Sequence, residues 1–237
     1  MVVGDEVVDL ADVATGLPPS MRALLALGPE GLAGAAAARR PSRRAWFNKQ
    51  RTAIAGRVTS ILIPAVSKMV DYEGELAMVI GRRCQHVPAG RALEVVAGFT
   101  VINDVSVRDW QWRSPTFTMG KSFDTHAPCG PDLVTSDELG DPGALTIRTW
   151  VNDELRQDST TADLIFDCAA MIEYLTAAFP LEPGTVIATG TPAGVGAGFQ
   201  PPRFLAAGDT VRIAIEGVGE LVNPVVHGAP PEPIGLD

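Results

Sequence analysis

The chain has 237 residues, 46% of them hydrophobic, enough for one sizeable core with a small appendage. Lys and Arg number 19 against 28 Asp and Glu, a formal charge of −9 with no basic run large enough to offset it, so nucleic acid and membrane surfaces are excluded as partners. Cys84, Cys129 and Cys168 are odd in number and widely spaced, which gives neither a disulfide framework nor a zinc pattern and fits reduced thiols in the cytoplasm. The first ten residues carry Asp5, Glu6 and Asp9 rather than a basic and then apolar leader, and no run approaches the roughly 20 apolar residues of a membrane span.

In chain order, residues 2–9 read as a short strand, and 19–27 and 29–40 as helices, each with a proline near its start and a run of Leu or Ala. A basic, proline-containing connector follows at 39–44, which divides a small N-terminal region (1–44) from a main domain (45–237). From residue 45 the texture changes to short β-rich runs broken by Gly, Pro, Asn and Asp. Residues 76–80 are an apolar run closed by Gly81, and 95–102 another that ends in Asn103-Asp104. Residues 145–151 and 154–157 form a hairpin about Asn152-Asp153, and 211–215 and 220–222 a second about Gly217 and Gly219. A helix spans 162–179, with Ile165, Ala169, Ile172, Leu175 and Ala178 near one face, a cap among Ser159, Thr160 and Thr161, and Pro180 past its end. Residues 185–189 are a strand entering a glycine loop, and 224–237 a Pro/Gly-rich surface tail. The sum is an α+β, mostly β fold.

The informative segment is Asp71-Tyr72-Glu73-Gly74-Glu75, which runs straight into five apolar residues. On an extended chain Glu73 and Glu75 project from one face, where two carboxylates repel unless water or a cation screens them. A hard divalent cation with oxygen ligands resolves that conflict, and Asp104, where an apolar strand suddenly meets Asn-Asp, is the third ligand. The competing reading of Glu-x-Glu is a solvated strand face.

Asn103 to Gln111 reads as a strand end and a short helix with Asp104, Arg108 and Gln111 near one face. Arg108 is either a two-pronged clamp for a substrate carboxylate or the partner of Asp104 in an ordinary helical ion pair. In the loop Gly120 to Pro131, Lys121 is the candidate catalytic group, able to stabilise an enolate oxygen or to lose its proton beside a metal; otherwise it is a solvated charge. His126 reads as a hydrogen-bonded loop residue, and His86, His126 and His227 are not spaced to share a metal. Thr189 to Gly196 lacks the Lys and Ser/Thr of a phosphate loop, but its glycines let backbone N–H groups, that of Gly190 among them, approach an anion.

Taken in order, Phe47-Asn48-Lys49-Gln50, residues 71–81, 103–111, 120–131 and 189–196 resemble the fumarylacetoacetate hydrolase family across residues 45–226. The resemblance implies a mixed β-sandwich roll, usually a homodimer. It implies Mg²⁺ or Mn²⁺ (Ca²⁺ in some members) on the residues matching Glu73, Glu75 and Asp104. Arg108, Gln111, Lys121 and Thr191 match pocket positions, and Lys49 a basic residue nearby. The partners implied are small 2-oxo or 2,4-dioxo acids. Hydrolytic C–C cleavage is the leading activity, with decarboxylation or hydroxydienoate isomerisation as the alternative and a binding-only homologue as the third. One departure stands out. Many members carry Asn-Tyr-x-x-His-x-x-Glu shortly before the Phe-x-Lys motif, and that His-Glu pair activates water, but residues 31–44 hold neither His nor acid. His126 stands where many members also have His, so it is not read as a replacement base.

Overall fold

The computed structural model describes residues 46–229, together with the backbone of 2–3 and 6–7. The chain divides into two units, residues 1–46 and 47–237. In the first, β1 (Val2–Val3) and β2 (Glu6–Val7) pair antiparallel within the span expected as one strand. The helices expected over 19–27 and 29–40 lie outside the described residues.

The second unit begins with β3 (Ile54–Ala55), β4 (Ile61–Ile63), β5 (Val70–Asp71), β6 (Gly74–Ile80), β7 (Val96–Asn103) and β8 (Ser106–Val107). Two short helices follow, α1 (Arg108–Gln111) and α2 (Thr118–Lys121), then β9 (Ala127–Thr135) and α3 (Ser136–Leu139). The hairpin β10 (Thr146–Val151) and β11 (Glu154–Thr160) leads to α4 (Cys168–Ala178), β12 (Val186–Ala188), and the closing hairpin β13 (Thr210–Ile215) and β14 (Gly219–His227).

These strands make two five-stranded sheets, ordered β12-β6-β7-β9-β3 and β11-β10-β13-β14-β4, with β5 and β8 as a separate pair. The β3–β9 and β14–β4 pairings are parallel and the others antiparallel. The sheets meet face to face and approach closely at Gly74, where a Cβ would lie 2.3 Å from Thr149 Oγ1 and 3.1 Å from Ile213 Cγ2. Leu76, Met78, Ile213 and Leu221 fill the space between, each contributing roughly 2 kcal/mol by burial. Asn152 takes a left-handed φ of 56° in the β10–β11 turn, as the Asn-Asp sequence predicts.

Two boundaries differ from the sequence reading. The long helix starts at Cys168 rather than 162, because Asp167 accepts from Ala170 N at 2.7 Å and caps it; Thr160 caps only a 3-10 turn over Thr161–Asp163, and Ile165 is left exposed. The expected tail from 224 is instead strand as far as His227, with Val225 paired to Ile61. Pro224 is tolerated because it caps an antiparallel stretch and opens a parallel one. Among the described residues no helix is long and apolar enough to cross a membrane.

Candidate active site

Strand register assembles the acids. β6 and β7 pair Gly74 with Asn103 and Glu75 with Ile102, so Asp104 arrives beside Glu73, and its N–H donates to Glu73 O at 2.8 Å. Alternation along β6 turns Gly74 and Leu76 toward the second sheet and Glu73 and Glu75 to the opposite face. That face rests on a small apolar floor of Ala53, Ala77, Ile102 and Ala127. Glu73, Glu75 and Asp104 are 1%, 2% and 1% exposed, which rules out the solvated-face reading.

Three cations close over the acids. Lys121, 1% exposed, donates to Glu73 Oε2 at 2.6 Å and Asp104 Oδ2 at 2.8 Å. Lys49 donates to the other Asp104 oxygen at 2.5 Å and to Val105 O at 3.0 Å. Arg108 donates through Nε to Asp71 Oδ2 and through Nη1 to Gln111 Oε1, both at 2.9 Å. The Arg108–Asp104 ion pair weighed from the sequence is therefore absent. The β5–β8 pairing, with Asp71 opposite Ser106, presents Asp71 to Arg108 instead.

Electrostatics follow from burial. Burial raises the Glu75 carboxyl well above the usual carboxylate range, and the neighbouring Asp104 and Glu73 carboxylates push it further. Burial also pushes Asp104 up, but the Lys121 and Lys49 ammonium groups outweigh it and hold Asp104 well below its ordinary value. Burial lowers Lys49, and Lys121, sharing the same carboxylate, adds to the fall. His126 sits nearby with Nε2 2.8 Å from Leu62 O, and burial brings it down to about 4.

The glycine loop packs along the same edge. Gly190 donates its N–H to Glu75 Oε2 at 2.7 Å, so this amide orients a carboxylate of the protein. Thr191 Oγ1 donates to Gly74 O at 2.9 Å and accepts from Gln157 Nε2 at 2.8 Å, which ties the loop to both sheets. All nine residues singled out from the sequence as metal, substrate or catalytic candidates thus lie in one linked network.

Sequence reasoning missed Asp71, Asn103 and Gln157. Asp71 accepts from four N–H groups: Tyr72 N, Gly196 N, Ala197 N and Arg108 Nε. Asn103 Oδ1 accepts from Glu73 N at 3.0 Å, and Gln157 Oε1 from Gly74 N at 3.1 Å. The one available signal was that Asp71 opens the same acidic run; the other two are ordinary polar residues at strand positions.

The donor set suits a hard divalent cation. One carboxylate oxygen from each of Glu73, Glu75 and Asp104 lies within 4.8 Å of the others, a spacing that one ion with oxygen ligands at about 2–2.5 Å can bridge. Glu73 Oε1 is buried and accepts no hydrogen bond, although Arg108 Nη1 lies 2.6 Å away off the bonding direction. Its partner is that guanidinium, in an ion pair rather than an aligned hydrogen bond.

The profile described as Fumarylacetoacetate (FAA) hydrolase C-terminal matches residues 28–226. Oxaloacetate tautomerase Fahd2a, mitochondrial, of Rattus norvegicus is 43% identical over 187 residues, 78% of this chain and 60% of the rat protein, so the chain spans three fifths of that relative's length. The crystal structure of 2-hydroxyhepta-2,4-diene-1,7-dioate isomerase from Mycobacterium marinum is 43% identical, with a TM-score of 0.74 over 80% of this chain and 71% of the other. Fumarylacetoacetate hydrolase from Exiguobacterium antarcticum is 42% identical, with a TM-score of 0.75 over 77% of this chain and 66% of the other. The sandwich, the buried acids and the matched profile agree that this chain belongs to the fumarylacetoacetate hydrolase family.

Proposed function

We propose that this chain is a metal-dependent enzyme that moves a proton between C3 and the C2 oxygen of 2-oxo acids, a tautomerase or isomerase in outcome. The observation that carries the reading is the Asp104 carboxylate held between two ammonium groups, Lys49 on one oxygen and Lys121 on the other. Burial lowers the Lys49 ammonium and the nearby Lys121 charge adds to the fall, against the pull of Asp104. On losing its proton Lys49 would be the acceptor for the C3 proton, and Lys121 would face the charge that develops on oxygen. Delivering the Lys49 proton to the C2 oxygen completes the tautomerisation, and returning one to C3 gives exchange with solvent. Arg108, braced by Asp71 and Gln111, is the group to orient the substrate carboxylate. A divalent cation on Glu73, Glu75 and Asp104 would supply Lewis acidity toward the 2-oxo-carboxylate. The similarity to a tautomerase and a dienoate isomerase supports the same reading. A cytoplasmic, homodimeric setting belongs to this proposal.

C–C hydrolysis is the second reading, favoured by the similarity to a fumarylacetoacetate hydrolase. It needs an activated water. Residues 31–44 lack the His-Glu pair, and among the described residues none of the three histidines is hydrogen-bonded to a carboxylate.

The test is exchange of the C3 protons of oxaloacetate with solvent deuterium, followed by NMR with Mg²⁺ present. Exchange is expected to be metal-dependent, to fall about 10³-fold in Glu73→Gln, and to fall about 10²-fold in Lys49→Met with Mg²⁺ binding retained. Acylpyruvate cleavage in the wild type would move the assignment to hydrolase, and bound Mg²⁺ without exchange on any oxo acid would end the proposal.

A further inference from the structure

A polar cavity lies away from the acids, and the chemistry above makes no use of it. It measures about 220 Å³ and is formed by the connection between β6 and β7. Its polar lining is Arg82, Gln85, His86, Arg91 and Glu94, with Val87 and Val95 on an apolar side. Glu73, Glu75 and Asp104 stand at the other end of the same strand pair. At about 3.3 Å per residue, β6 from Gly74 to Ile80 sets the two places about 20 Å apart.

Backbone bonds fix the walls. Cys84 N donates to Leu181 O and His86 N to Thr176 O of α4, each at 3.0 Å, and Val87 N donates to Thr176 Oγ1 at 3.1 Å. His86 is held at φ 53°, a left-handed conformation that such a side chain adopts only where its surroundings impose it. Arg82 Nε and Nη2 both donate to Glu94 O, which holds that guanidinium against the end of the connection.

Charge and donor count decide what the cavity takes. The nearby acids are already engaged: Glu94 by Arg91, Glu182 by Arg83, and Glu173 by Ala89 N. Arg82 meets a neutral carbonyl and forms no ion pair among the described residues. Two guanidinium groups against one carboxylate therefore leave a positive charge on this lining, in a chain whose net charge is −9. Gln85 and His86 are exposed, and their side chains hold no hydrogen bond among the described residues. An amide and an imidazole thus remain to donate beside Arg82. A carboxylate offers two oxygens and a phosphate group three, so three donor side chains on one small concave surface suit phosphate better.

We infer that this cavity binds the phosphate group of a small molecule, at a site separate from the acids and independent of the function proposed for them. The probes are inorganic phosphate, phenyl phosphate and acetate, titrated calorimetrically with and without Mg²⁺. The His86 ring resonances, assigned by their loss in His86→Gly, are followed by NMR. Phosphate is expected to shift them equally with and without Mg²⁺, and to raise the melting temperature by about 4 °C at ten times its dissociation constant, whereas acetate does neither. Arg82→Met is expected to weaken binding about tenfold. His86→Gly should do the same, and it keeps the fold because glycine relieves the left-handed backbone. Arg83→Met, which removes a guanidinium spent on Glu182 outside the lining, should bind as wild type. Tighter binding of phenyl phosphate would identify a phosphomonoester as the ligand and equal binding free phosphate; both support the site. No binding by the wild type, equal binding of acetate, affinity that survives Arg82→Met and His86→Gly, or equal weakening in Arg83→Met would overturn it. A strict need for Mg²⁺ would place the anion on the acids, which would overturn this site and leave the proposed function standing.

Discussion

Charge is handled differently in the two sheets of the second unit. On the β10–β11–β13–β14 sheet, Arg148 pairs with Asp158 and Arg212 with Glu220, and all four side chains are between 37% and 50% exposed. On the β6–β7 sheet, every residue of β6 but Val79 is buried, and the acids at its entrance are almost entirely so. These two pairs on the first sheet sit in water, where they are optional, although Arg156 on β11 is only 8% exposed. The second places them where an unmatched charge is costly, so each must be answered by another residue, by backbone N–H groups or by an ion. One fold thus has a face that tolerates change and a face that does not.

Three experiments sharpen that contrast. The largest effect is expected from Gly120→Ala on the site side. A Cβ there would fall 2.3 Å from the Gln111 backbone nitrogen, so α1 and α2 must separate. We expect a loss of about 3 kcal/mol in urea unfolding, with weakened substrate binding, since Gln111 and Lys121 sit on the displaced helices. Glu75→Gln comes next and carries the opposite sign. The Glu75 carboxyl is raised in the fold, so its stabilising contribution is present below the unfolded value and is lost as pH rises through the folded one. Metal-free Glu75→Gln should therefore melt about 3 °C above wild type at pH 8 and match it at acid pH. Mg²⁺ should reverse the order at pH 8 by stabilising only the wild type. The smallest effect is expected from Arg148→Ala on the outer sheet: within about 0.5 kcal/mol, with turnover unchanged. A comparable loss there would erase the distinction between the faces.

The outer sheet was the more legible from sequence. Its hairpins alternate inward and outward residues, and Asn152-Asp153 and Gly217 announce their turns. The site was legible where chemistry is local: Glu73 and Glu75 are two apart, and Asp104 interrupts an apolar run. What joins them is register, a long-range property that no short window contains. Lys49 reaches Asp104 across 55 residues and Gly196 reaches Asp71 across 125. Of the two readings left open for Arg108, the helical pair with Asp104 was suggested by spacing alone, whereas the β5–β8 pair supplies Asp71 as its partner. The cap of α4 was misplaced because Ser159, Thr160 and Thr161 drew the start upstream, while the cap that forms is Asp167.

The four N–H donors gathered by Asp71 come from its own strand, from the Gly196-Ala197 turn and from the guanidinium that steadies Gln111. The turn and the arginine are therefore one mechanical part, hinged on a single carboxylate. Engineers who wish to exchange the glycine loop with that of a relative must move Asp71 and Arg108 as a set, because a transplanted loop without its anchor would misdirect the arginine even if every pocket residue were kept.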